Sequence, residues 1–131
     1  MKEQDIQTRV MLALSKRNAK IFRNNVGVGW QGKSYRRPNG DIVIETPRPL
    51  HAGLCTGSSD LIGWHSVVVT PEMVGTRVAI FTAVEVKQPK KKPTEVQQNF
   101  INVVLEAGGY AGVATNDDEA VDILRIRPES D

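Results

Sequence analysis

Thr82-Ala83-Val84-Glu85-Val86-Lys87 is the stretch from which the fold of this chain is best predicted. Because side chains alternate along a β-strand, Glu85 and Lys87 point to one face and the two valines to the other. A strand with apolar residues on both faces is typical of the middle of a sheet. The sequence therefore predicts a buried strand over residues 77–87, the longest of the chain, ending in two charges that need partners.

The residues after this strand predict a β-α-β unit. Thr94 is a suitable N-cap for a helix that runs to about Ala107, where Gly108-Gly109 ends it. Residues 110–115 then form a strand that we expect to lie parallel to the first, because a helical crossover joins them. A last helix is expected over residues 117–124.

The first half of the chain has weaker patterns. It predicts an amphipathic helix, a short strand and further strand material over residues 3–18, 20–26 and 60–70. The Gly-, Pro- and Arg-rich region 27–57 shows little regular pattern, apart from a hairpin at Asn39-Gly40 with residues 42–44 as its return strand. This order predicts a single α/β domain over residues 1–131, with a mixed central sheet flanked by helices.

The composition is that of an ordinary globular protein, with 40% hydrophobic and 24% charged residues among 131. No apolar run approaches the ~18 residues of a membrane span, and the N-terminus is too polar for a signal peptide. The only cysteine, Cys55, excludes an intrachain disulfide. We expect a cytoplasmic protein with no membrane partner.

The charges are unevenly distributed along the chain. Residues 1–59 contain ten Lys or Arg and four Asp or Glu, whereas residues 106–131 contain two and seven. A basic front and an acidic tail indicate a surface for a polyanion, or else a chance asymmetry on a solvated surface.

A candidate site combines Glu85 and Lys87 with Asp60, which ends the run Gly57-Ser58-Ser59-Asp60. Two carboxylates and the backbone carbonyl of Val86 are hard oxygen ligands of the kind that Mg2+ prefers. Such a cation would neutralise a phosphodiester and activate a water, while the lysine orients that water or stabilises the developing charge. The alternative is an ordinary ion pair at the end of a strand.

The motifs, taken together, resemble the VRR-NUC family of the PD-(D/E)xK nuclease superfamily. The resemblance covers nearly the whole chain, and the chain is most similar to the compact, stand-alone members from phages and bacteria. It is carried by Gly57-Ser58-Ser59-Asp60-Leu61-Ile62-Gly63, Val84-Glu85-Val86-Lys87, Thr94-x-x-Gln97-x-x-Phe100 and Ala107-Gly108-Gly109-Tyr110-Ala111. It implies a restriction-endonuclease-like core.

The resemblance also implies roles for five residues. Asp60 and Glu85 match the metal-binding acids, and Lys87 matches the catalytic lysine. Gln97 matches a glutamine that points into the site, although Thr94-x-x-Gln97 is also a capping box. Glu3 matches an acid of the first helix, although an acid in a first turn also suits the helix dipole.

Two departures from the family pattern stand out. Ser59 occupies the position where the superfamily name has proline. The Val-Arg-Arg stretch after which the family is named is not evident near Val121-Asp122-Ile123-Leu124-Arg125, which leaves the role of the last helix open.

Basic side chains that follow the catalytic strand, or that lie beside aromatic residues, are the candidates for contacts with DNA phosphates. They are Lys90, Lys91, Lys92, Lys33, Arg36, Arg37 and Arg23. The alternative for each is a solvated loop position, and Arg23 also suits a simple strand end.

The sequence thus predicts a DNA endonuclease that depends on Mg2+ or Mn2+. From the resemblance we expect a homodimer that acts on four-way (Holliday) junctions, with two sites for paired nicks. The alternative is a non-catalytic DNA-binding module that keeps the nuclease fold.

Overall fold

The computed structural model describes residues 2–124. The chain forms two compact units, residues 1–65 and 66–131. The first unit contains α1 (Glu3–Ser15), β1 (Ala19–Arg23), β2 (Gly27–Arg36), β3 (Ile42–Ala52) and β4 (Leu61–His65). The second contains a 3-10 turn (Pro71–Met73), β5 (Thr82–Val86), α2 (Glu95–Glu106), β6 (Tyr110–Ala114) and α3 (Asp117–Ile123).

In the first unit, β1 and β4 form an antiparallel pair in which Arg23 lies opposite Leu61. The two strands approach closely at Gly63, where an added Cβ would lie 1.8 Å from the carbonyl oxygen of Lys20. Only glycine fits this position without moving the strand. The pairing sets β4, and with it Asp60 just before β4, beside the end of β1.

The region 27–57 is mainly a long antiparallel hairpin, β2–β3, with a register shift between Gln31 and Lys33. The predicted turn at Asn39-Gly40 is confirmed, but the expectation of an otherwise irregular region is wrong. The sequence of this hairpin does not resemble that of ordinary strands, because prolines occupy strand positions, as at Pro49 opposite Trp30. Proline is tolerated there because both strands of a two-stranded ribbon have a free edge.

In the second unit, β5 and β6 pair in parallel, from Thr82–Tyr110 to Val86–Ala114, and α2 connects them. This confirms the predicted β-α-β unit. The side chains that are most buried among the described residues all belong to the second unit; they are Ile101 and Val104 of α2, Ala111 and Ala114 of β6, and Ile123 of α3. Burial of the helix positions 101 and 104, three apart, shows the face of α2 that packs on the strands.

The start of β6 depends on Gly109. A Cβ at this position would lie 2.8 Å from both the carbonyl oxygen of Phe81 and Cγ1 of Val104. The absence of a side chain lets the chain turn from α2 directly into β6.

Several element boundaries differ from the prediction. The strand expected over residues 20–26 is Ala19–Arg23, and the strand material expected over residues 60–70 is confined to Leu61–His65. The strand predicted over residues 77–87 is confined to Thr82–Val86, because its only partner among the described residues, β6, is itself five residues long. The prediction that it is the longest strand is therefore wrong, since β3 spans eleven residues. The first helix ends at Ser15 rather than residue 18, and Asn18 then adopts the left-handed conformation (φ 65°), which reverses the chain.

The predicted burial of β5 on both faces is wrong, because Val84 and Val86 are 41% and 75% exposed. The described strands pair as three two-stranded sheets, two antiparallel and one parallel. The chain is therefore mixed α/β, while one central sheet and one domain over residues 1–131 stay predictions. Within residues 2–124, no helix is both long and apolar enough to span a membrane.

Candidate active site

Glu85 and Lys87 lie at the carboxyl end of β5, where the strand places both side chains on one face. Lys87 Nζ is 3.7 Å from Glu85 Oε1, and the two side chains are 21% and 31% exposed respectively. The pair is thus open to solvent on one side. A partly exposed ion pair contributes little to stability. Because both side chains are partly exposed, a ligand can reach them.

The backbone beyond β5 continues the pairing with β6. The Lys87 N–H donates to the carbonyl oxygen of Ala114 at 3.1 Å. This hydrogen bond fixes the main chain one residue past Val86, and hence the direction from which the lysine side chain leaves the strand. The Glu85–Lys87 pair is therefore held by the sheet rather than by a loose loop.

Gln97 forms the capping box that the sequence offered as one of its two roles. The Gln97 N–H donates to Thr94 Oγ1 at 3.2 Å, and the Thr94 N–H donates to Gln97 Oε1 at 2.9 Å. The box uses the carbonyl of the Gln97 amide and does not involve its NH2 group. A second role for Gln97 in the site stays a prediction.

Asp60 is exposed and immediately precedes β4. Its carbonyl oxygen accepts a hydrogen bond from the Asn24 N–H at 2.8 Å. The Asn24 side chain also donates to Ser58 Oγ and to the Ser59 carbonyl, at 2.7 and 2.9 Å. These contacts of Asn24 with the segment before Asp60 are not evident from the sequence, which shows only an asparagine at a strand end before a Gly-rich segment.

Two further predicted site residues involve α1: Glu3 belongs to this helix, and Arg23 makes hydrogen bonds to it. Glu3 lies in the exposed first turn of this helix, as expected for an acid at a helix N-terminus. Arg23 donates from its two terminal nitrogens to Gln7 Oε1 at 2.5 Å and to Thr8 Oγ1 at 3.0 Å. Arg23 thus fastens α1 to β1, and its predicted contact with DNA stays a prediction.

The remaining predicted DNA-binding cations are exposed. Lys90, Lys91 and Lys92 form a loop directly after β5, in which Lys90 adopts a left-handed conformation (φ 68°) and the Lys91 N–H donates to the Gln88 carbonyl. Lys33, Arg36 and Arg37 lie on or next to β2, and Arg36 donates to the Gly40 carbonyl at 3.1 Å. Each cation is free to approach a phosphate from solvent.

The positions and chemical types of the predicted ligands indicate which metal ion they could hold. Asp60 and Glu3 belong to the first unit, and Glu85, Lys87 and Gln97 to the second. Among residues 2–124, no three side chains of His, Cys, Asp or Glu are grouped closely enough to enclose a metal ion. The two predicted carboxylates are both open to solvent, and with a backbone carbonyl they supply only oxygen, which suits Mg2+ or Mn2+.

These features define a mixed α/β protein with a β-α-β unit whose first strand ends in a carboxylate and an ammonium on one face. The family model for the VRR-NUC domain matches residues 1–118. The chain belongs to this family of nuclease domains, which gives it a nuclease-type, DNA-processing function. Neither a curated protein nor a solved structure matches it.

Proposed function

We propose that this chain is a metal-dependent DNA endonuclease with a PD-(D/E)xK-type core. The observation that carries the proposal is the Glu85–Lys87 pair, 3.7 Å apart on one face of β5, in a chain that belongs to a nuclease family. A carboxylate and an ammonium fixed side by side at a strand end supply a metal ligand and a cation for the same phosphate.

The metal ligands in this proposal are Asp60, Glu85 and the carbonyl oxygen of Val86. When bound, Mg2+ or Mn2+ neutralises charge on the scissile phosphate and lowers the pKa of a water. Lys87 stabilises the negative charge that develops on the phosphate, because its ammonium is held at the strand end by the backbone pairing with β6. Gln97 supports the site from α2, and Glu3 completes the shell of the metal or of the attacking water.

DNA is held through its phosphates in this proposal. Lys90, Lys91 and Lys92 follow the Glu85–Lys87 pair by three to five residues and are exposed. Contacts of this kind release counterions and carry no base preference of their own. The hairpin cations Lys33, Arg36 and Arg37 add a second set of phosphate contacts, and Arg23 contributes only if it leaves α1.

We further propose that the enzyme selects branched DNA, with four-way junctions as the preferred form, and works as a homodimer. Support comes from the exposed cations of the β2–β3 hairpin, Lys33, Arg36 and Arg37. Two-fold symmetry would provide two sites for paired nicks on opposite strands.

The second candidate is a DNA-binding module that keeps the nuclease fold without cleaving. The exposed cations would serve it equally well. It does not need a carboxylate paired with Lys87, however, and the presence of Asp60, Glu85 and Lys87 together favours the enzyme.

A cleavage assay on a set of DNA forms tests the proposal. End-labelled four-way junction, flap and linear duplex of the same sequence are incubated with the protein, with Mg2+, with Mn2+ or with a chelator. We expect the junction to be cut fastest, and only with a metal present. Equal cutting of all three forms would contradict the selectivity alone, whereas binding without cutting under every condition would favour the non-catalytic module.

A further inference from the structure

We propose that Asn24 is a positioning residue for Asp60. Asn24 lies directly after β1 and makes hydrogen bonds to the segment after β3, to the turn before β4 and to Asp60, the residue that precedes β4. The inference rests on the proposed function, because it takes Asp60 to be a metal ligand.

The side chain of Asn24 uses both ends of its amide. Nδ2 donates to Ser58 Oγ at 2.7 Å and to the Ser59 carbonyl at 2.9 Å. Oδ1 accepts from the Leu54 N–H at 3.0 Å. These bonds determine which way the amide points, because the reverse orientation would set NH2 against N–H and two carbonyl oxygens against each other.

Two of the bonds lie on either side of the Asp60 Cα. The Ser59 carbonyl belongs to the peptide group before Asp60, and the Asp60 carbonyl, which accepts from the Asn24 N–H at 2.8 Å, belongs to the one after it. Because a peptide group is planar, holding both groups fixes the backbone angles φ and ψ of Asp60. The direction of its Cα–Cβ bond is then fixed as well.

The turn that carries these groups is itself closed. Ser58 donates to the Cys55 carbonyl from its hydroxyl at 2.7 Å and from its N–H at 3.0 Å. Its hydroxyl oxygen is therefore held in place to accept from Asn24. The result is a rigid support under an exposed carboxylate.

The exposure of Asp60 distinguishes a positioning role from ordinary packing. Asn24 is only partly buried and Asp60 is exposed, so the network covers little apolar surface. Groups around a metal ligand that fix its orientation strongly affect metal affinity. A network of four hydrogen bonds around one exposed acid fits that purpose.

The test measures Mn2+ binding by isothermal titration calorimetry, without DNA, well below the melting temperature. The variants are Asn24→Ala and Asn24→Asp, where an ionised aspartate keeps the acceptor for Leu54 but loses both donors. Asn25→Ala is the matched control, because it is the adjacent exposed asparagine. Asp60→Ala reports the loss of the ligand itself, and circular dichroism confirms that each variant is folded.

We expect both Asn24 variants to bind Mn2+ ~10- to 100-fold more weakly than wild type. Asn25→Ala should bind as wild type does. If Asn24→Ala does not fold, the isosteric Asn24→Asp decides the result. A shift in affinity in a folded variant is not expected from a merely structural residue.

Wild-type affinity in a folded Asn24 variant would overturn the inference, and so would an equal loss in Asn25→Ala. In both cases a weak-binding Asp60→Ala would leave the proposed function standing. Wild-type affinity in Asp60→Ala would instead remove the ligand assignment, and the inference with it.

Discussion

The ammonium of Lys87 lies 3.7 Å from a carboxylate oxygen of Glu85, two residues earlier on the same face of β5. At this distance the two groups form an ion pair, and both lie beside any ligand that binds at the end of the strand. It also raises the question of whether the pair stabilises the fold or serves the chemistry.

Replacement of Lys87 distinguishes these two roles. Lys87→Met keeps most of the apolar stem and removes the charge, so we expect the cleavage rate to fall by ~10²–10³-fold. The free energy of unfolding should change by less than ~1 kcal/mol, because the pair is partly exposed. Cleavage rates and thermal melts measure the two effects, and Lys16→Met, at an exposed lysine outside the proposed site, serves as the control. A large loss of stability with unchanged specific activity would show that the pair is structural.

The capping role of Gln97 and its proposed role in the active site can be tested independently. Gln97→Glu keeps the side-chain acceptor for the Thr94 N–H but replaces the NH2 group by a second carboxylate oxygen, with a negative charge. We expect this variant to keep the melting temperature of wild type and to lose activity by ~10-fold or more, as is typical when a support of a metal site is removed. Thr94→Ala should do the opposite, lowering stability by about 1 kcal/mol with little change in rate. Full activity in Gln97→Glu would leave capping as its function.

Glu119 makes the stability of the second unit depend on pH. Hydrogen bonds from the Thr115 side chain and the Thr115 N–H lower the pKa of Glu119 below its ordinary value of 4.5. Because the folded pKa is depressed, the stabilisation is complete above about pH 4.5 and is lost as the pH falls through the folded pKa.

Melting temperatures of wild type and Glu119→Gln should therefore differ most near neutral pH and converge in acid. Asp118→Asn is the control, since it shares the first turn of α3 and its dipole. A difference between wild type and Glu119→Gln that is constant with pH would contradict this account.

The lysines after β5 should be visible in the salt dependence of DNA binding. Replacing Lys90, Lys91 and Lys92 by Gln removes up to three phosphate contacts, so the slope of log Kobs against log salt should become shallower by up to ~2.7 on duplex DNA. Fluorescence anisotropy over a salt series measures it. Thermal stability should be unchanged, because all three side chains are exposed. An unaltered slope would show that these three lysines do not contact the DNA phosphates.

The parts of the fold that follow from short-range signals could be predicted. The cap at Thr94, the end of the helix at Gly108-Gly109 and the next strand lie close together in sequence, and the structure confirms the β-α-β unit that they indicate. Glu85 and Lys87 belong to the same class, because alternation along one strand brings them together.

Long-range contacts could not be predicted. Asn24 bonds to Leu54 and Ser58, which are 30 and 34 residues away, and no local pattern indicates such partners. The extent of the β2–β3 hairpin was missed for another reason, since its glycines and prolines are residues that strands usually avoid. The ends of β5 depend on the length of its partner, which is a property of the sheet rather than of the strand.

The most direct test of the central claim is the initial rate at which a labelled four-way junction is cut in Mg2+ by wild type, Asp60→Asn and Glu85→Gln. Both replacements keep the shape of the side chain and turn a charged carboxylate into a neutral amide. The account predicts that each lowers the rate by at least ~10²-fold while DNA binding measured in a chelator is unchanged. A rate equal to wild type in either variant would contradict it.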